Sequence, residues 1–390
     1  MAAFGAEGCR SQMAVLLWKL PMELKIELPE SAAEQLTQET DIRSYIATAV
    51  QEKLKRDKNE EQYAFLKIIT LSQGFILSNA ILVMAKLKID TLLEAGPKSA
   101  DILAREAGCE SDILYRFLRA LSSVGVFRHR GDEKFELTSI SRHFFILSSC
   151  FFDERAYRAW NHSLNTLLTG EPGWSKEYGK SFFDYLNASP IDTDEFSAWN
   201  TRSANDWLAP IVSLVDFGQF RKIVDVGGGE GSFVSQILKA NPNLTATLFD
   251  LPQVVSGAGA QLESMGVASR CNAIGGNFFD FVPEGGDAYL LARVLLNWDE
   301  QHSKKILCAC HNAMQGQGTL LVVDFMIPPK DHLAYQTLVF NDLNLLMTFN
   351  GANRTEQDWR SLLDRASFRV TRILSAPEPS LLSLIEAVPF

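Results

Sequence analysis

Residues 222–242 read "KIVDVGGGEGSFVSQILKANP", and no other stretch restricts the fold as narrowly. An apolar run, Ile223 to Val226, meets Gly227, Gly228, Gly229 and Gly231, and a helical pattern starts near Ser232. Glycines let the backbone take positive φ and let a ligand approach where a Cβ would otherwise stand. The free N–H groups at the helix start favour a negative ligand group. The next apolar run, "TLFDLPQVV", carries Asp250 at its end, where a carboxylate can accept both hydroxyl hydrogens of a ribose. Turn and acid together predict a nucleoside-bearing ligand. A dinucleotide would share this signature, but Asp225 and Glu230 in the same turn would oppose a pyrophosphate. They suit a ligand that carries an ammonium or sulfonium charge.

Around this turn, "RKIVDVG", "TATLFDLP", "AYLLARVLL" and "GTLLVVDFM" alternate with helical stretches. That alternation predicts an α/β domain over 166–390, with an open, mainly parallel sheet and helices on both faces. The 390 residues leave room for more. Residues 1–21 carry little pattern and read as a tail. Over 22–58 a strand-like "MELKIELPESAAEQL" precedes a helical "DIRSYIATAVQEKLKRDKNEE". This order faintly resembles the start of ribbon-helix-helix DNA-binding modules, and an extension used in dimer packing explains it equally. Residues 59–165 open with "QYAFLKIITLSQGFILSNAILVMAKLKIDTLLEAG". A helix apolar on most sides must be covered nearly all round, which predicts an intertwined dimer interface. Two short amphipathic helices (about 99–107 and 111–124) and two strands about the Gly131-Asp132 turn then give a winged-helix shape.

The formal charge of −10 argues against a nucleic-acid surface covering the protein. The basic residues of the winged helix, Arg116, Arg119, Arg128, His129 and Arg130, are interleaved with acids, so packing is expected of it rather than DNA binding. Six cysteines without CxxC spacing or companion histidines predict reduced thiols and no metal site. No apolar run reaches the roughly 18 residues that span a bilayer. Ala14–Trp18 lacks a clear cleavage site, so a cytoplasmic protein with no membrane partner is expected.

The segments "VDVGGGEG", "LFDLP", "GGNFFDFVPEGGDAYLLARVLLNW", "LLVVDFMIP" and "NRTEQDWRSLLDRASF" follow one another in an order that resembles S-adenosylmethionine-dependent small-molecule O-methyltransferases. The caffeate, hydroxyindole and bacterial polyketide enzymes are of this kind. "GPKSADILAREAG" and "LYRFLRALSSVGVF" resemble the same family's dimerisation domain, and the likeness runs from about residue 62 to 388. It implies a Rossmann-like methyltransferase domain behind a helical winged-helix dimerisation domain, S-adenosyl-L-methionine as cofactor, a small-molecule substrate and a homodimer. It places Gly227 and Gly229 near the methionine part of the cofactor, Asp250 on the ribose and Leu251 against the adenine. Asn277 and Phe278 fall in the adenine-contacting segment, where an acid is usual, and an amide oxygen can still accept there. Arg293, expected with Asp225 among the cofactor-binding residues, matches a basic residue that many bacterial members carry on the strand before the active site.

One feature departs from the pattern. In the family this strand ends in a motif like "VLHDW", whose His removes the substrate proton, whereas here "VLLNW" puts Leu296 and Asn297 at those positions. The "GKERT"-like segment reads Gly351-Ala352-Asn353-Arg354-Thr355. A phenol of pKa about 10 is a poor nucleophile until ionised, and a positioned base is worth roughly 10² to 10⁴ in rate. Alignment alone still contributes about 7 to 11 kcal/mol. Three readings therefore stay open. The first is a methyltransferase acting on a readily ionised oxygen, a carbon or an amine of an aromatic or polyketide-like metabolite, with His162 of "RAWNHSL" and Asn297 as catalytic candidates. The second keeps the cofactor without methyl transfer, as pericyclase-like and hydroxylase relatives do. The third is a cofactor-sensing regulator that binds DNA through residues 22–58. The expected pocket is lined by His162, Leu296, Asn297, Trp298, Phe340, Asn341 and Asn344, with His302 out in solvent.

Overall fold

The computed structural model describes residues 59–147, 153–189, 196, 198–201, 203, 207–377 and 380–390. The strand and helix expected over 22–58 lie outside them. The chain divides into two compact units, Met1–Ile81 and Leu82–Phe390.

The apolar run is helical, as its composition demands. Helix α1 covers Asn59–Ser72, and α2, Gly74–Lys86, starts after a break at Gln73. The polar residues that interrupt the run bond back to carbonyls of their own helices, Ser72 to Ile69 and Asn79 to Phe75, both at 2.7 Å. Tyr63, Phe65, Leu66, Ile68, Leu71, Phe75 and Ile76 are exposed. Among the described residues no single helix is long and apolar enough to cross a membrane.

The second unit begins with the winged helix. It comprises β1 (Lys98–Ser99), α3 (Ala100–Ala107), α4 (Ser111–Ser123), β2 (Phe127–His129) and β3 (Lys134–Leu137), with β3 antiparallel to both other strands. The Ser99 hydroxyl caps α3 through the Ile102 N–H, and Gly108 closes it in the left-handed region. Leu103, Leu118, Leu121, Phe127 and Phe135 form its core. The wing arginines are spent within the wing. Arg128 reaches Glu136 at 2.8 Å, and Arg130 reaches Glu136 and Asp132, each at 3.4 Å.

Four short helices follow: α5 (Glu154–Trp160), α6 (Ser163–Thr169), α7 (Gly173–Tyr178) and α8 (Phe182–Asn187). Trp174 is their buried pivot, with the rings of Tyr178, Phe182 and Tyr185 around it at 4.6, 4.8 and 5.3 Å. The α/β part then runs β4 (Lys222–Val226), α9 (Ser232–Ala240), β5 (Thr245–Asp250), α10 (Ala258–Ser264), β6 (Cys271–Gly275), β7 (Ala288–Ala292), α11 (Glu300–Met314), β8 (Thr319–Ile327), α12 (Tyr335–Phe349), β9 (Arg354–Thr355), α13 (Glu356–Asp364), β10 (Phe368–Ser375) and β11 (Leu382–Pro389). Helices α5 and α7 pack against α12, and winged helix and α/β part share one compact unit.

The strand order is β10-β11-β8-β7-β4-β5-β6, with β9 beside β8. Strands β4 to β8 pair in parallel, and β11 and β10 close one edge antiparallel. Alternate residues feed the two faces: Ile223 and Leu290 enter one core, Val224 and Leu291 the other. The order reverses at β4, which has β5 on one side and β7 on the other. In an open parallel sheet, the crevice beyond the strand ends at such a reversal is where ligands bind.

Candidate functional site

The glycine turn sits at that reversal. Gly227, Gly229 and Gly231 take φ of 72°, 62° and 84°, values that side chains disfavour. A Cβ on Gly227 would come within 2.9 Å of Val294, and one on Gly228 would collide with the Asp225 carboxylate. The turn is locked to the next strand: the N–H groups of Gly229 and Leu251 each donate to Asp250 at 2.7 Å. Burial raises the Asp250 carboxyl above its ordinary range while these two donors hold it down. Asp225 is the opposite case. It is buried and neither carboxyl oxygen has a hydrogen-bond partner. Burial, with Asp250 nearby, pushes it up to about 7.

A cavity of about 580 Å³ opens over this turn. The predicted residues Asp225, Gly227, Gly229, Asp250, Leu251, Asn277, Phe278, Arg293, Asn297 and Trp298 all line it. The wall is aromatic on one side, where Phe278 and Phe279 meet Trp298 edge-on at 6.0 and 4.8 Å and Phe183 stacks on it at 5.7 Å. The Asn277 amide oxygen accepts the Phe279 N–H at 3.0 Å, which leaves one lone pair and the amide hydrogens for a ligand. These groups fit S-adenosylmethionine. Asp225 is an unpaired buried acid for an ammonium, Asp250 an acid for ribose hydroxyls, and the bare turn lets the backbone approach.

Strand β7 stops abruptly because Arg293 adopts the left-handed region, φ 57°. Beyond it a short turn, Leu295–Asn297, is held from three directions. The Leu296 N–H donates to Asp324 at 3.1 Å, and its carbonyl accepts the Ala352 N–H at 3.0 Å. Arg354 donates to the carbonyls of Leu295 and Trp298 at 3.0 and 2.9 Å and to the Ser303 hydroxyl at 3.0 Å. Gly351 is packed so tightly that a Cβ would collide with the Leu296 carbonyl. Burial pushes Asp324 up to about 7 against the field of Arg354. The Asn297 amide donates to the Arg293 carbonyl at 3.2 Å.

Five predicted residues are not among those lining the cavity. His162 was expected beside the substrate. It stands instead at the start of α6 with its Nε2 2.7 Å from a Glu177 carboxylate oxygen, because α7 brings that acid alongside. Leu296 is buried under the strand end. Phe340 is 60% exposed on α12. The Asn344 amide oxygen accepts from the Trp160 ring nitrogen at 3.1 Å. Asn341 keeps a buried amide nitrogen without a partner. His302, expected in solvent, has a 42% exposed side chain that bonds Asp299 at 2.8 Å and borders Phe279 and Trp298. Sequence reasoning missed Phe183, Asp184, Asn200, Thr201 and Ser232 in the cavity wall, and Asp324 and Arg354 behind the strand end. Only Asp324, an acid inside the apolar run "LLVVDFM", carried a local signal.

Residues 160–369 match the O-methyltransferase domain, and residues 69–146 match the O-methyltransferase dimerisation domain. The chain is 32% identical to a phenazine O-methyltransferase of Lysobacter antibioticus, over 83% of its length and 95% of the relative's. It is 29% identical to a phenazine-1-carboxylate N-methyltransferase of Pseudomonas aeruginosa, over 82% and 96% of the two chains. Among solved structures, the mitomycin 7-O-methyltransferase superposes with a TM-score of 0.75 at 29% identity, covering 85% of this chain and all of the other. The chain belongs to the O-methyltransferase family with an N-terminal dimerisation domain, and it is an S-adenosylmethionine-dependent methyltransferase of secondary metabolism.

Proposed function

We propose that this enzyme methylates an aromatic or polyketide-like metabolite at an atom that needs no enzyme base: an oxygen already ionised at neutral pH, or an uncharged nitrogen. One observation carries this reading. Among the described residues, those lining the cavity include no imidazole, thiol, amine or phenol; of the carboxylates there, Asp225, Glu230 and Asp250 belong to the glycine turn and the strand end beside it, and Asp184 accepts from the Ser181 hydroxyl at 2.6 Å. Leu296, in the place the resemblance gives to a histidine, is an apolar side chain buried under the strand end. The N-methylating relative supports an acceptor of the second kind.

The bound cofactor would supply an electrophilic methyl group on a sulfonium, whose sulfur keeps the bonding electron pair as the acceptor's lone pair takes the carbon. The chain's own residues contribute placement. Asp225 would hold the cofactor's ammonium and Asp250 its ribose, while Phe278 and Leu251 would flank the adenine. The aromatic wall of Phe183, Phe279 and Trp298 excludes water and offers flat faces to a flat substrate. Arg354, Asp324 and Ala352 hold the floor rigid through main-chain bonds, so that aligning the reactants does the work that proton removal does elsewhere. The exposed apolar residues of α1 and α2 support a homodimer.

The test uses acceptors matched in shape and graded in acidity: an ordinary phenol, a nitro-activated phenol and an aromatic amine. The activated phenol and the amine should turn over, with kcat/KM following each acceptor's own ionisation. At pH 7 a phenol of pKa about 10 is only about one part in a thousand ionised, and its rate should rise about tenfold per pH unit. A phenol methylated at a rate that levels off above an enzyme pKa near 6 to 7 would reveal a working base and end the proposal.

A further inference from the structure

Glu230 lines the cavity and has no part in placing the ribose or the ammonium. It is half-buried in the glycine turn. Among the described residues its carboxylate has no hydrogen bond and no ion pair. One of its oxygens reaches across toward the start of α10, 3.3 Å from where a Cβ on Gly257 would stand. Its chain neighbour Gly229 donates to Asp250 at 2.7 Å, and consecutive Cα atoms are only about 3.8 Å apart. Gly229 is expected beside the methionine part of the cofactor and Asp250 on its ribose. The cofactor's sulfur joins those two parts, so an uncommitted acid stands next to the place where the sulfur belongs.

The charges of the wall are unequal. Among the described residues that line the cavity, four carboxylates, Asp184, Asp225, Glu230 and Asp250, face one guanidinium, Arg293. The cofactor carries an ammonium and a carboxylate both before and after it gives up its methyl group. Whatever Asp225 and Arg293 pair with is therefore the same in the two states. Only the sulfur differs. When the methyl group leaves, the bonding pair stays on sulfur, and a cationic sulfonium becomes a neutral thioether. A cleft lined by surplus negative charge attracts the first and is indifferent to the second. At an effective dielectric constant of about 20, one unit charge within about 10 Å of another shifts an equilibrium by roughly tenfold.

Resting on the methyltransferase reading above, we propose that Glu230 reads the charge on the cofactor's sulfur. It holds S-adenosylmethionine more tightly than S-adenosylhomocysteine, so that the spent cofactor is released and does not throttle the next turnover.

The test is calorimetry on the full chain at pH 8 with three ligands. These are S-adenosylhomocysteine, S-adenosylmethionine and sinefungin, in which a carbon bearing an ammonium replaces the methylated sulfur. Both cationic ligands should bind about tenfold tighter than the neutral thioether. Glu230→Gln keeps the shape and removes the charge. It should shrink the gap to about threefold or less, while S-adenosylhomocysteine affinity stays within about twofold. Equal affinities in the wild type overturn the proposal, and this arm needs no variant. A gap for S-adenosylmethionine that sinefungin does not share overturns it as well, because contacts with the methyl group would then be the cause. So does a gap that survives unchanged in Glu230→Gln, or a loss in that variant shared equally by all three ligands, since Glu230 would then serve the ribose or the ammonium. A wild type that binds none of the three would instead remove the methyltransferase reading, and the role of Glu230 with it.

Discussion

Asp225 presents an acid that is costly to keep charged until a ligand arrives. With its carboxyl pushed from an ordinary 3.8 up to about 7, the folded apo protein holds this proton more tightly than the unfolded chain does. The linked stability is therefore present below the unfolded value and is lost as pH rises toward about 7. Ligand binding has the opposite sign, since only the ionised acid pairs with an ammonium. S-adenosylhomocysteine affinity should weaken about tenfold per unit below pH 7. Asp225→Asn should flatten that profile, bind more weakly at pH 8, and melt higher than the wild type there without ligand. Calorimetry and thermal melts across pH 5.5 to 8.5 check all three. Residues of this sort were partly legible. Asp225 and Asp250 stand in or beside glycine and proline punctuation that announces a strand end. The pairing of His162 was not legible, because Glu177 lies on another helix, and an ion pair between helices leaves no trace in spacing.

At the scale of elements, the turn after β7 depends on a residue far along the chain. Arg354 supplies bonds to two carbonyls and a hydroxyl of that turn and lies over the Trp359 ring at 5.2 Å. Removing one member of a buried charged network costs about 3 to 5 kcal/mol. Arg354→Met should lower unfolding stability by roughly that amount, read by urea denaturation. In the surviving folded fraction kcat should fall, because Leu295–Trp298 loses its clamp, while S-adenosylhomocysteine affinity is retained. The strands β4, β5, β7 and β8 and helices α3 and α4 were legible from apolar period and caps. The clamp was not, since hydrogen bonds to main-chain carbonyls place no demand on the sequence that receives them. Nor was the place of Asn200 and Ser203 beside Arg293, which no local pattern announces.

At the scale of the whole molecule, the nine large apolar side chains exposed on α1 and α2, Ile69 and Val83 among them, are more than solvent-facing helices normally carry. A second copy of the chain should cover them. Sedimentation should report a dimer, and Leu66→Lys with Ile69→Lys should shift it toward monomer, with a melting temperature that falls on dilution. The composition of this segment already pointed there, because polar residues that satisfy themselves within the helix leave the outer surface apolar.

The left-handed backbone at Arg293 carries a consequence for how this enzyme can change. A non-glycine residue in that conformation stores roughly 1 to 3 kcal/mol, and the same residue buries a guanidinium. Glycine would relax the strain but give up the bonds to Ser203 and Asn200. Backbone ease and side-chain anchorage pull in opposite directions at this single codon, so Arg293→Ala, which keeps the strain and loses the bonds, should melt below Arg293→Gly.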